Sequence, residues 1–198
     1  LATPLVRHSP EEGWLTLASP GCSPFLSKPG GKPGSGCERF FSDGIRSIIS
    51  NGEIEWVLFV FHSHLSEQRD FLEHARATFR EIRRAGKKIA VLVDNPMPSL
   101  TPERCGKVRP IERLGFHFGA RCSIPRVQHE ENIRLFREQL ALLKLDDAGL
   151  LVFDPTDFLC DEESCTVLKD GQSLYSYTHH LSEYGVSRFA SKLLERMK

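Results

Sequence analysis

"KKIAVLVDN", residues 87–95, sets five consecutive apolar residues between a lysine pair and an Asp-Asn pair. The run is too short for an ordinary helix, and it is apolar at successive positions instead of every second one. It reads as a strand buried on both faces, the mark of a parallel sheet covered by helices on each side. Three further stretches share this character: "WLTLAS" (14–19), "EWVLFVF" (55–61) and "GLLVFDP" (149–155) are short apolar or β-branched runs that give way to Ser, His, Asp or Pro.

The segments between them carry the helical period. Within 65–85, Phe71, Leu72, Ala75, Phe79 and Ile82 recur at that spacing, and Gly86 follows as a C-terminal stop. Ile133, Phe136, Leu140 and Leu143 do the same for 129–144. At the end of the chain Ser182 reads as an N-cap, with Val186, Phe189, Leu193 and Met197 on one face of a terminal helix over 182–198. Alternating strand and helix predict an α/β fold: a mainly parallel sheet with helices on both faces and right-handed crossovers. The Pro/Gly-rich stretch 20–37 and the excursion 96–127 read as long irregular loops. In such folds, loops beyond the carboxyl ends of strands are where sites are built.

A chain of 198 residues, 40% hydrophobic, is expected to form one domain over 1–198 that buries about 70% of the surface its unfolded form exposes. Its 26 Lys+Arg balance 26 Asp+Glu, so no global field gathers nucleic acid or an anionic membrane. Nucleic acid is not an expected partner. There is no run of eighteen apolar residues, and Leu1 neither is an initiator Met nor opens a signal segment. The chain reads as a piece cut from something longer.

Six cysteines stand at 22 and 37, 105 and 122, and 160 and 165, each pair close in sequence and outside the apolar runs. The pattern favours three local disulfides and an oxidising compartment, although six cysteines permit fifteen connectivities.

The adjacent His179 and His180, in "LYSYTHHLSEYG" (174–185), admit three readings. Cysteine and neutral imidazole are ordinary zinc ligands, so "CDEESC" (160–165) with the histidines is one, against which stand the wide cysteine gap and the divergent directions of neighbouring histidines. Solvated or capping loop residues are another. The third is a general base: a loop His just ahead of a helix that reaches the proton of a nucleophile, its other nitrogen oriented. Only one of the two can serve.

Cys22-Ser-Pro, the second Cys with its aromatic helix "CERFF", "WVLFVF", "FDPTDFLCDEESC" and "LYSYTHHLSEYG" together resemble the C-terminal extracytoplasmic SGNH-type domain attached to bacterial membrane acyltransferases that O-acylate surface polysaccharides. The similarity spans most of 14–192. It implies the SGNH-hydrolase, flavodoxin-like version of a three-layer αβα sandwich, with the N-terminal strand and nucleophile motif upstream of this chain, and a preceding integral-membrane acyltransferase domain. It implies that His180 is the catalytic His and that Cys22–Cys37 and Cys160–Cys165 are disulfides; by position Cys105 pairs with Cys122. No cofactor and no metal are implied.

The match departs in three places. No Gly-Asp-Ser occurs in the 198 residues, so the nucleophilic serine is expected a few residues before Leu1, and Ser9, followed by Pro, is a poor substitute. Tyr177 stands where the family has the acid three residues before the His; the alternatives are a Ser-His dyad, a backbone carbonyl acting on His180, or a carboxylate from Asp157 or Asp170. Gly21 fits the backbone N–H donor of an oxyanion hole, whereas His62 and Ser63 follow "WVLFVF" where an Asn is expected, with His62 as a substitute donor or a polar strand end. The function implied is acyl transfer, expected to be acetyl transfer, or ester hydrolysis on hydroxyls of an envelope polysaccharide outside the cytoplasm. The alternative is a catalytically degenerate domain that binds glycan or positions its membrane partner.

Overall fold

The computed structural model describes residues 5, 13–26, 36–98, 105, 122–177 and 180–198. Three strands form the central sheet, β1 (Trp56–Val60), β2 (Lys88–Leu92) and β4 (Leu151–Phe153), in the order β1-β2-β4 with both pairings parallel. Leu58 pairs with Ala90 and Ala90 with Leu151, so the three carboxyl ends lie side by side. The central strand is "KIAVL", buried from Ile89 to Leu92.

Side-chain alternation splits the strands between two cores. Val57, Phe59, Ile89, Val91 and Val152 enter one, beneath helices α1 (Gly36–Ser50), α2 (Phe71–Arg84) and α4 (Arg134–Asp146). Trp56, Leu58, Leu92, Leu151 and Phe153 enter the other, closed by α6 (Glu183–Ser187) and α7 (Ala190–Met197). This is the expected three-layer αβα sandwich: strands covered on both faces cannot alternate polar and apolar residues, and these do not. α3 (Arg126–Asn132) and α5 (Thr156–Leu159) are short connectors. A strand β3 (Ser123–Pro125) pairs antiparallel with β5 (Ser164–Thr166), and β6 (Leu168–Lys169) with β7 (Gln172–Ser173). The turn between β6 and β7 is Asp170-Gly171 with φ of 52° and 74°, the doubly left-handed pair that a two-residue hairpin requires.

Several expectations are corrected. "WLTLAS" is not a strand: 14–19 makes no ladder, and Leu15 is 68% exposed. It is a strap in which Leu17 lies on Gly44 of α1, so close that a Cβ there would meet Leu17 Cδ2 at 2.3 Å. The helix expected over 65–85 is a 3-10 turn, Ser63–Glu67, followed by α2, since the chain at Gln68 is extended. The helix over 129–144 is two helices meeting at Ile133, and the terminal helix breaks at Arg188–Phe189. That second break turns Phe189 into the core against Phe153 and Phe158, at ring distances of 5.8 and 6.3 Å. The excursion 96–127 falls largely outside the described residues.

All three cysteine pairs are disulfides: Cys22–Cys37, Cys105–Cys122 and Cys160–Cys165. The first ties the Gly21 turn to the start of α1. No helix among the described residues is long and apolar enough to cross a membrane.

Candidate functional site

The aligned carboxyl ends of the three parallel strands deliver His62–Ser63 after β1, Asp94–Asn95 after β2 and Asp154 after β4. Polar groups gather there although the strands beneath are apolar, the usual place for a site in an open α/β sheet.

His180 sits on a pinned hairpin. Tyr175 and Leu181 form an antiparallel bridge, Ser176 N–H donates to the His180 carbonyl at 2.8 Å, and Ser182 N–H donates to Leu174 O at 2.9 Å. Ser182 is the expected N-cap: its Oγ accepts the Gly185 N–H at 3.0 Å while its hydroxyl donates to Ser173 O at 2.6 Å. Gly185 is required because the α6 backbone passes against Leu174; a Cβ there would lie 2.2 Å from the Leu174 carbonyl oxygen. The hairpin is rooted by Leu174 and Tyr175, both buried. Burial, and secondarily the nearby Asp94 carboxylate, push the Tyr175 phenol well above its ordinary pKa. Leu174 and Tyr175 share one buried core with Leu92, the last residue of β2, and Phe153, the last of β4. His180 itself is exposed.

Tyr177 is 64% exposed, its ring edge-on to His180 at 6.3 Å between centroids. It therefore flanks the imidazole without supplying a carboxylate. Asp157 and Asp170 are engaged elsewhere, Asp157 by Arg126 and Asp170 by the Tyr184 hydroxyl and Arg188. Thr178 and His179 lie outside the described residues. Cys160 and Cys165 are bonded to each other, so neither offers a thiolate for zinc.

Gly21 has φ +69°, a left-handed conformation that suits glycine, in an exposed turn. Four residues on, Phe25 packs edge-on against Phe61 at 5.1 Å, and Leu26 N–H donates to Thr78 Oγ1 at 2.8 Å. Phe61 directly precedes His62, so these contacts anchor the Gly21 segment near the end of β1.

His62 is not an isolated strand end. Its Nδ1 lies 3.4 Å from Asp94 Oδ2, and the His64 ring stands 5.5 Å away on the same 3-10 turn. Asp94 is buried and accepts the Ser63 N–H at 2.8 Å on Oδ2 and the Asn95 N–H at 3.0 Å on Oδ1. Sequence reasoning missed Asp94. The available signal was an acidic residue immediately after an all-apolar parallel strand.

Behind this row lies a second polar group. His129, 2% exposed, sits with Nε2 3.1 Å from Thr156 Oγ1, which also accepts from Arg137 Nη2 at 3.2 Å. Arg137 in turn donates Nε to Asp154 Oδ2 at 2.9 Å, and Asp154 Oδ1 accepts the Thr156 N–H at 2.9 Å. Burial, then the Arg137 charge, hold His129 down to a pKa of about 4. Thr156 Oγ1, already accepting from Arg137, can either donate its hydroxyl hydrogen to a bare His129 Nε2 or accept from an Nε2–H, and both tautomers are neutral rings.

Comparison with known proteins shows the family and the fold. A family model described as "SGNH domain (fused to AT3 domains)" matches residues 1–195. No curated protein matches. Among solved structures, the periplasmic domain of a lipopolysaccharide acetyltransferase from Salmonella ser. Paratyphi A is similar, with a TM-score of 0.63 and 14% identity over 90% of this chain and 70% of that one. At that identity the likeness is one of fold.

Proposed function

The chain belongs to the family of SGNH domains fused to AT3 domains, and from that premise we propose that it transfers an acyl group, in the simplest case acetyl, to a hydroxyl of an envelope polysaccharide outside the cytoplasm. The observation that carries this reading is the pinned exposure of His180. Two backbone hydrogen bonds, a capped helix and the buried Tyr175 hold the His180 segment at the surface, and the root of its hairpin shares a core with Leu92 at the carboxyl end of β2.

In this reading a serine from a segment preceding Leu1 attacks the carbonyl carbon of the acyl donor, and its proton passes to a ring nitrogen of His180. The Gly21 N–H helps hold the oxyanion of the tetrahedral intermediate. His180 returns the proton to the leaving group, which departs and leaves the acyl-serine. The sugar hydroxyl then attacks, its proton moves to His180, and the serine oxygen recovers it on release of the acylated sugar. The donor would be a membrane-embedded acyltransferase domain of the same polypeptide. The open side of β1, unpaired among the described residues, would receive the preceding strand.

The test uses the protein expressed with the residues preceding Leu1 in its gene and follows p-nitrophenol release from p-nitrophenyl acetate. His180→Ala is expected to lower the rate by about 10⁴-fold or more, the scale of loss when a triad member is removed. Equal rates would refute the role of His180. Tyr177 at the place of an acid favours a second reading, a glycan-binding module, and inactivity of both folded forms would support that one.

A further inference from the structure

The chain has three tyrosines, and two of them have a task in the fold. Tyr175 roots the hairpin in the core, while Tyr184 donates its hydroxyl to Asp170 at 3.0 Å with the Arg188 guanidinium 6.0 Å from its ring centroid. Tyr177 is 64% exposed, its hydroxyl has no hydrogen-bond partner among the described residues, and its ring meets only His180 there, at 6.3 Å and an interplanar angle of 81°. A ring packed on both faces is not that exposed, so at least one face is open to solvent. The backbone that carries it is tied down: Ser176 N–H donates to the His180 carbonyl at 2.8 Å, Tyr175 bridges to Leu181, and the Ser173 hydroxyl donates to Tyr175 O at 2.7 Å. Only two side-chain torsions are left to fix, so ordering the ring on a ligand costs little. The face of an aromatic ring is the negative side of its quadrupole. A pyranose presents the weakly positive hydrogens of its C–H bonds on one face and carries its hydroxyls at the rim. The two surfaces match in shape and in sign, and the group beside that rim is the imidazole of His180.

We propose that the Tyr177 ring is the platform on which a pyranose of the acceptor polysaccharide stacks, its C–H face on the ring and a rim hydroxyl turned toward His180. Tyr177 is then a substrate-binding residue. The assignment rests on the carbohydrate ligand of the reading above, which acyl transfer and the glycan-binding alternative share. It separates the tasks of two neighbours: His180 moves the proton, whereas Tyr177 holds the sugar that carries the hydroxyl.

The test has two arms on the full-length protein, with methyl glucoside, methyl galactoside and methyl mannoside as probes. In the first, each glycoside is titrated by NMR. The wild type should move the C–H signals of one sugar face upfield through the ring current of Tyr177. The ringless variants Tyr177→Ala and Tyr177→Gln should abolish that shift and raise the Kd by about fivefold to tenfold, the scale of one aromatic contact. Tyr177→Phe keeps the face and should stay within about twofold of the wild type. In the second arm p-nitrophenyl acetate is the donor, and acetylated sugar and p-nitrophenol are measured together. The ringless variants should raise the acceptor KM by the same factor with a smaller change in kcat, and Tyr177→Phe should restore it. Circular dichroism checks that each variant folds, and the second ringless variant keeps the test open if one does not. Equal affinity in the wild type and the folded ringless variants, or no glycoside bound by the wild type, overturns the platform. A loss in Tyr177→Phe as large as in Tyr177→Ala assigns the effect to the hydroxyl and overturns stacking. A wild type that binds the glycosides through Tyr177 yet releases no p-nitrophenol refutes acyl transfer and leaves the platform standing in a glycan-binding module.

Discussion

Lowering the pH should destabilise this domain through His129 before most of its carboxylates are protonated. The imidazole is 2% exposed and hydrogen-bonded through Nε2 to the Thr156 hydroxyl, beside the Arg137 guanidinium. Its pKa is pushed down to about 4 from the ordinary 6.5, so the unfolded chain binds a proton that the folded one refuses. The contribution is therefore intact above pH 6.5 and is lost as pH falls toward 4. A gap of about 2.5 units at about 1.4 kcal/mol each gives roughly 3 kcal/mol in all, of which roughly 2 kcal/mol is spent by pH 5. That is a large part of the stability of an ordinary domain. The assay is urea unfolding of the oxidised protein at pH 7.5, 6 and 5, for wild type and His129→Gln. The amide can still meet Thr156 and does not titrate. The variant is expected to start less stable at pH 7.5, because Gln does not fill the ring's place, and to lose about 2 kcal/mol less between pH 7.5 and 5. Parallel pH profiles, or an NMR titration of His129 near 6.5, would refute the reasoning.

Gly185→Ala forces a Cβ onto the Leu174 carbonyl oxygen, which is backbone and cannot swing aside; a loss of about 1–3 kcal/mol by thermal unfolding is expected, with a displaced His180 resonance in the NMR spectrum. Lys87 is buried and its ammonium donates to Asn51 O at 2.6 Å and Ile54 O at 2.8 Å, closing the turn before β1. Lys87→Met strands both carbonyls and should cost about 2–3 kcal/mol in urea unfolding; a change under a few tenths would show that water replaces the ammonium. The double change Cys22→Ala with Cys37→Ala reopens a fifteen-residue separation and should lower stability by about 3 kcal/mol. Because that bridge ties down the Gly21 turn, ester hydrolysis should fall with it, and unaltered hydrolysis would remove Gly21 from the oxyanion role.

The sequence by itself determined the central sheet and its two coverings. "EWVLFVF", "KKIAVLVDN" and "GLLVFDP" are apolar at consecutive positions, and only a strand with helices on both faces has use for that, so strand identity and layer order were legible without coordinates. Ser182 as cap and the pairing of neighbouring cysteines were equally local. "WLTLAS" looked the same and is not a strand, because a strand exists only through its hydrogen-bonding partner, and this segment spends Leu17 on Gly44 instead. The breaks at Ile133 and Phe189 also escaped the helical period, since the core shape that turns Phe189 inward is not written in spacing.

The site divides in the same way. His180 announced itself through its neighbours in the chain, but its place depends on Leu174 and Tyr175 sharing a buried core with Leu92 of β2 and Phe153 of β4, which joins distant segments. The His62–Asp94 pair and the His129–Thr156–Arg137 group were decided by tertiary structure alone. Register between parallel strands sets which loop residues meet at their ends. That register is fixed by the packing of whole strands and helices, whereas periodicity reports only how each segment divides its own surface between oil and water.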